Sequence, residues 1–345
     1  MNAINKISRL ICIAALCAIS TTSHATTAVA THGQLRVKGN QIVDAHGNPT
    51  SLAGPSLFWS NSGRDGYVDR VHHEDRFYNA DVVAYVQKNW NASIIRAAIG
   101  GTSPGGYVTD PADNMARAQR VIEAATAQGM YVIIDWHSHE AHLHTDLAIQ
   151  FFEAIAKKYG KQNNIIYELY NEPLNTADWS TMIKPYAQLV IAKIRAIDPN
   201  NLIIVGTQTW SQDVNKAADD PITAFDNIAY SLHFYAGSHK DALRAKAEYA
   251  MKKGIALMVT EWGSVNADGN GGISREETER WLQFMRKYHL SHCNWALSDK
   301  LEGASQLKNG TSADGKWTDA DLTESGLYEK DIVLHWGTIK YSGAE

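Results

Sequence analysis

The sequence predicts an α/β fold, a (β/α)8 or TIM barrel preceded by a short β-hairpin. Three observations predict it. Eight short apolar runs alternate with amphipathic stretches about every 35 residues, the rhythm that βαβ units impose. Polar and charged residues gather at the C-terminal ends of those runs, where a parallel barrel opens its cleft. The 345 residues suffice for one large barrel, and residues 33–345 hold no Pro/Ser-rich linker, low-complexity stretch or charge block.

The elements follow in order. Lys6 and Arg9 precede an apolar run over residues 10–19, and Ser23-His24-Ala25 offers small residues for cleavage. A run that short does not span a bilayer, so residues 1–25 are expected to be a secretory signal peptide and residues 26–345 the barrel domain. Segments 35–37 and 41–43 flank Lys38-Gly39-Asn40 and predict a hairpin placed to cap the barrel's bottom. Strands are expected at 51–57, 93–98, 131–135, 165–169, 202–205, 228–232, 256–259 and 293–297. Helices with 3.6-residue apolar spacing are expected at 80–89, 113–128, 146–159, 178–197, 241–252 and 276–288, with a short one near 212–218. Gln128-Gly129 and Asp198-Pro199-Asn200 supply helix stops. An open doubly wound sheet would carry a Gly-rich phosphate turn after its first strand, and Gly54-Pro55-Ser56 is not one.

Loss of the leader would take the formal charge from −5 to −7, since Lys6 and Arg9 leave and no acidic residue does. A mildly acidic chain without a basic stretch argues against nucleic acid and anionic membranes as partners. Cys12 and Cys17 would leave as well, so Cys293 remains without an internal disulfide partner and the domain must be stabilised by its core. Ten Trp and fifteen Tyr include several near strand ends, where flat rings can stack on sugars.

The strand ends carry the chemistry. They present Arg96, Asp135-Trp136-His137, Asn171-Glu172, His233-Phe234-Tyr235, Glu261-Trp262, and Trp295 followed by Asp299-Lys300. Glu172 and Glu261 each follow an apolar run, and a carboxylate buried for packing alone costs several kcal/mol. Two carboxylates converging on one cleft are what hydrolysis of a glycosidic bond requires.

Seven segments in register carry a resemblance to a known family: SLFWSNSG (56–63), IIRAAIG (94–100), VIIDWH (132–137), YELYNEP (167–173), SLHFYAG (231–237), VTEWG (259–263) and NWALSDK (294–300). Together they resemble glycoside hydrolase family 5, in its branch of bacterial secreted endo-β-1,4-glucanases (cellulases), over roughly residues 34 to 338. The resemblance implies Glu172 as general acid/base and Glu261 as nucleophile of a retaining mechanism, with the two carboxyl groups about 5–5.5 Å apart. Glu172 would need its proton near neutral pH, and Glu261 its charge, held by Arg96 and the Tyr235 hydroxyl. It implies Asn171 at the sugar 2-hydroxyl, and His137 and His233 holding further hydroxyls and the acid/base. Trp295 would floor that sugar, Trp59 would be a platform one sugar further along, and Lys300 and Glu302 would bind hydroxyls at the same end.

The stretch HSHEAHLH (137–144) invites a metal reading, but His139 and His142 are three apart rather than the four of a helical zinc motif. The expectation is no cofactor, with His139, His142 and His144 lining or flanking the cleft and Asp135 hydrogen-bonding near the barrel top. The expected enzyme is a secreted monomer acting on a β-glucan polysaccharide or oligosaccharide. With no second module in the sequence, soluble or amorphous substrate is favoured. Mannan, xyloglucan and mixed-linkage glucan remain open as substrates, because loop contacts decide among them. A non-catalytic glycan-binding barrel is the alternative from another class, and would need the Trp platforms but no pair of glutamates.

Overall fold

The computed structural model describes residues 26–63, 73–102 and 104–338. The expected signal peptide, with Cys12 and Cys17, lies outside the described residues. A hairpin of β1 (Arg36–Lys38) and β2 (Gln41–Val43) pairs antiparallel with Val37 opposite Ile42. Eight parallel strands then close a barrel: β3 (Ala53–Leu57), β4 (Ile94–Gly100), β5 (Tyr131–His137), β6 (Ile165–Glu168), β7 (Leu202–Val205), β8 (Ile228–Tyr235), β9 (Leu257–Gly263) and β10 (His292–Leu297). Ring closure pairs β10 with β3, with Cys293 opposite Gly54.

Helices Ala80–Trp90, Pro111–Ala127, Thr145–Tyr159, Lys184–Arg195, Val214–Asp219, Asp241–Lys252 and Arg275–Lys287 alternate with the strands, and Glu324–His335 follows β10. The first shows how local chemistry sets their limits. The Asn79 side chain accepts from the Val82 amide at its start, and Asn91, at a left-handed φ of 54°, stops it. The expected helix over 178–197 divides. Pro185 has no N–H to donate, and the turn ahead of it, Trp179–Ile183, is a wider π-helical one, with the Ile183 amide reaching Asp178 O at 3.1 Å. The helix Glu324–His335 was not expected. Its buried face includes Ser325, Gly326 and Glu329, which form no apolar stripe.

Side-chain alternation along each strand sorts the core into two regions. Ile94, Tyr131, Ile133, Ile166, Ile204, Ala229, Met258 and Cys293 pack with Leu35, Ile42 and Leu52 of the hairpin region. That cluster fills the lower barrel interior and makes the hairpin its floor. Ile95, Val132, Ile134, Tyr167, Ile203 and Val259 point outward against the helices. Two residues further along the inward-facing set, the character changes from apolar to ionic: Ile94 is followed by Arg96, Ile133 by Asp135 then His137, Ile166 by Glu168, Ala229 by Ser231 then His233 and Tyr235.

These polar residues lie inside the ladders, not past their ends. β4, β5, β8 and β9 run two to four residues beyond the expected 98, 135, 232 and 259. Their polar side chains satisfy one another within the barrel, so the backbone pairing has no reason to stop where apolar residues do.

Candidate active site

Glu261 sits within β9 and Glu172 four residues beyond the end of β6. His233 of β8 stands opposite Glu261 in register. Carboxylate oxygens of Glu172 and Glu261 and a ring nitrogen of His233 all lie within 4.8 Å of one another. Among the described residues this is the one cluster of three metal-ligand-type side chains, and the histidine-rich stretch 137–144 forms none. The two carboxyls differ in openness: the side chain of Glu172 is 15% exposed and that of Glu261 5%.

Arg96 organises the floor of the site. Fully buried, it reaches Glu168 (Nε to Oε2, 2.7 Å), Glu261 (Nη1 to Oε2, 2.8 Å) and Asp135 (Nη2 to Oδ2, 2.9 Å). It also donates to the Asn171 side-chain oxygen at 2.7 Å, which fixes that amide. The other oxygen of Glu261 accepts from the Tyr235 hydroxyl at 2.7 Å. Tyr235 attains this position because its ring lies against Gly263, where a Cβ would sit 2.5 Å from the ring.

The electrostatics follow from burial set against charge. Burial alone would lift the Glu168 carboxyl, but the charge of Arg96, with His233, holds it down at about 2. Burial would discharge His233, yet Glu261, Glu168 and Glu172 carry its ring up to about 9, so it is an imidazolium at neutral pH. Its Nδ1 is 2.9 Å from Glu172 Oε1, and its Nε2 is 2.9 Å from the Thr260 hydroxyl. Burial, then the charge of Glu172, pushes the Glu261 carboxyl upward, while His233, Arg96 and the Tyr235 hydroxyl pull it back. Burial lifts Asp135 as well, against Arg96. Burial, then Arg96, keeps His137 neutral, its Nδ1 2.5 Å from Asp135 Oδ2. Two cations, Arg96 and His233, thus face three buried carboxyls, Asp135, Glu168 and Glu261, and the upward push on Asp135 and Glu261 reflects negative charge that the cations do not fully offset.

Two cavities meet at Glu172, Tyr235, Ala267 and Asp268. One, about 230 Å³, lies on the Glu261 side and is lined by Trp59, Trp295, His137, His139, Lys300 and Glu302. Trp295 stacks parallel on His137, with centroids 5.2 Å apart, and Trp59 meets the same imidazole edge-on at 4.1 Å. Lys300 and Glu302 pair at 2.5 Å, and the ammonium lies 5.2 Å from the centre of the Phe58 ring. The other cavity, about 470 Å³, lies on the Glu172 side and carries Trp210 and His239.

Glu172, Glu261, His137, His233, Tyr235, Trp59, Trp295, Lys300 and Glu302 therefore line one cleft, and Arg96 and Asn171 lie buried beneath it. Some expectations need correction. Arg96 is the third residue of β4 rather than its end, which is why it sits beneath the carboxylates and not at the rim. His139 lines the cleft, but His142 is turned to the Tyr170 hydroxyl at 2.9 Å, and His144 lines a separate hollow with Leu143 and Asp146. Two residues went unseen. Glu168 is an acidic residue in an apolar run, the same signal that singled out Glu172. Trp210 stands in a segment where Thr209, Trp210 and Ser211 all have left-handed φ of 53–60°. Bonds from the Trp210 amide to Pro173 O (2.8 Å) and from the Ser211 hydroxyl to Asn171 O (2.7 Å) tie this turn to the Glu172 segment. No local sequence rule foresees three such residues without glycine.

Comparison with known proteins places this geometry among relatives. Residues 43–301 match the family model for cellulase (glycosyl hydrolase family 5). Endoglucanase Z of Dickeya dadantii is 53% identical over 302 residues, which cover 88% of this chain and 66% of that protein, so the chain spans just under two thirds of its relative's length. A solved structure from Cytophaga hutchinsonii superposes with a TM-score of 0.84 at 46% identity, covering 89% of this chain and 96% of that one. The catalytic domain of Thermobifida fusca endoglucanase Cel5A, solved as a variant in complex with cellotetraose, gives a TM-score of 0.81 at 31% identity, covering 89% and 99%.

Proposed function

The chain belongs to glycosyl hydrolase family 5, and from that premise we propose that it is a retaining endo-β-1,4-glucanase acting on cellulose-type chains. The observation that carries the reading is the approach of Glu172 and Glu261 to within 4.8 Å. That separation matches the retaining arrangement of about 5–5.5 Å and leaves no room for the water that an inverting pair, at about 6.5–9.5 Å, must hold.

Glu172 donates its proton to the glycosidic oxygen as Glu261 attacks the anomeric carbon. The C–O bond breaks, a bond from Glu261 to the sugar forms, and the leaving chain departs with the proton. Glycosylation removes the charge of Glu261, so Glu172 then deprotonates a water that attacks the same carbon and frees Glu261. The greater openness of Glu172 suits the group that must meet that water. Arg96 and Tyr235 hold Glu261 anionic between turnovers. Asn171, its amide locked by Arg96, bonds the 2-hydroxyl as the oxocarbenium-like state develops. His137 and His233 hold neighbouring hydroxyls and Glu172. Trp295 floors the reacting sugar, Trp59 stacks on the next, and Lys300 with Glu302 binds hydroxyls at that end.

Room on both sides of the carboxyl pair supports internal cleavage. The names of the relatives and the cellotetraose complex of the Thermobifida protein support glucan as the substrate. Among the described residues no helix is long and apolar enough to cross a membrane. We propose further that residues 1–25 are a leader removed on secretion, that 26–345 form the catalytic domain, and that it acts as a monomer. The test compares carboxymethylcellulose, mannan and xyloglucan. A rapid viscosity loss on carboxymethylcellulose, with at least tenfold less sugar released from the other two, supports the reading. Preferential release from mannan or xyloglucan moves the substrate, and binding without release makes the barrel a lectin.

A further inference from the structure

The cavity on the Glu172 side contains a histidine to which the mechanism above gives no role. His239 lies four residues past Tyr235, and its backbone is fixed on both sides. Its amide donates to Tyr235 O at 2.8 Å and its carbonyl accepts from Trp281 Nε1 at 2.9 Å. Its ring is fixed as well. The Tyr235 backbone N–H donates to His239 Nδ1 at 2.8 Å, so Nδ1 carries a lone pair and the ring proton resides on Nε2. The ring lines the 470 Å³ cavity together with Glu172, Trp210, Gln212 and Asp268. With Nδ1 consumed by the backbone, the Nε2–H edge is the one left to serve the cavity.

The side of the cleft decides what that donor meets. Glu172 lines both cavities, while Glu261 lines only the other one. An acid that protonates the glycosidic oxygen has the departing sugar beyond it, so the larger cavity receives the leaving chain. We propose that His239 is a positioning residue for the leaving-group sugar, its tautomer locked by the Tyr235 amide so that Nε2–H donates to a hydroxyl of that sugar. The proposal rests on the glucanase reading and adds to it a determinant of aglycone recognition. The same lock links the two halves of the cleft: one residue, Tyr235, offers its hydroxyl to Glu261 and its amide to His239.

The experiment separates recognition from support. His239→Asn keeps an acceptor near the Nδ1 position for the Tyr235 amide but places no donor at the Nε2 position; His239→Ala removes both. Each is measured on cellotetraose, whose leaving group carries hydroxyls, and on 4-nitrophenyl cellobioside, whose leaving group offers none to His239. We expect His239→Asn to lose about tenfold in kcat/KM on cellotetraose, the equivalent of one hydrogen bond, and to stay within about twofold of wild type on the aryl substrate. Two results would overturn the proposal: equal losses on both substrates, or a His239→Asn enzyme like wild type on both beside a crippled His239→Ala, which marks a purely structural ring. A wild-type protein that cleaves neither substrate refutes the glucanase reading itself, and the role of His239 with it.

Discussion

The Tyr235 hydroxyl donates to Glu261 Oε1 at 2.7 Å, and this contact opposes the two influences that push the Glu261 carboxyl upward, burial and the charge of Glu172. A nucleophile held in so dry a site depends on such donors to remain ionised at working pH.

Tyr235→Phe should therefore slow the enzyme and move the acid limb of its pH profile toward higher pH. A hydrogen bond to a charged group is worth about 1.5–3 kcal/mol, so kcat should fall roughly 10- to 100-fold. The profile of kcat/KM on an aryl cellobioside reads both effects. An unchanged acid limb would mean that His233 and Arg96 sustain the charge without the hydroxyl.

Arg96 binds three buried carboxyls at 2.7–2.9 Å, so its loss is a stability event as well as a catalytic one. Arg96→Met leaves Asp135, Glu168 and Glu261 without their shared cation and should destabilise the barrel by about 3–5 kcal/mol. Arg96→Lys retains the charge but not the three-way reach of a guanidinium, and should recover part of the stability and little of the activity. Urea unfolding beside turnover rates tests this. A Met variant as stable as wild type would mean the carboxyls simply take up protons.

The barrel was legible because its strands are β-branched and aliphatic and its helices amphipathic, two periods that can be read directly from the chain. The paired glutamates were legible for the opposite reason, charge where packing offers none. The depth of the site was not legible. Arg96, Asp135 and Glu168 were read at strand tips or passed over, because a polar residue normally ends an apolar run. Here they satisfy one another inside the sheet, a relationship among three strands that no single stretch of sequence displays. The helix Glu324–His335 escaped notice for a similar reason. Its Glu329 is fully buried and accepts from Asn294 (2.8 Å), Gln306 (3.0 Å) and Ser264 (3.0 Å), so a polar contact does the work of an apolar stripe.

A second buried acid predicts how stability depends on pH. Glu74 is fully buried, with Asp299 and Ser298 beside its carboxyl. Burial, then the nearby charge of Asp299, lifts its carboxyl to about 8. A carboxyl raised in the fold binds its proton more tightly there than in the unfolded chain. Its stabilising contribution is complete below the ordinary value of 4.5 and is lost as pH rises through about 8. Glu74→Gln cannot ionise, so its melting temperature should exceed that of wild type at pH 9.5 by several degrees, at about 2–4 °C per kcal/mol. At pH 5 it should show no gain. A constant offset between the two proteins across that range would rule out the titration of Glu74 as the cause.

The mechanism hinges on which carboxyl bonds to the sugar. Incubation with an activated 2-deoxy-2-fluoro-cellobioside, which slows release of the glycosyl-enzyme more than its formation, followed by proteolysis and mass spectrometry, identifies that residue directly. One fluorocellobiosyl group is expected on the peptide containing Glu261, formed in step with inactivation and absent from Glu261→Gln. A label on Glu172, or inactivation that leaves Glu261 unmodified, would contradict it.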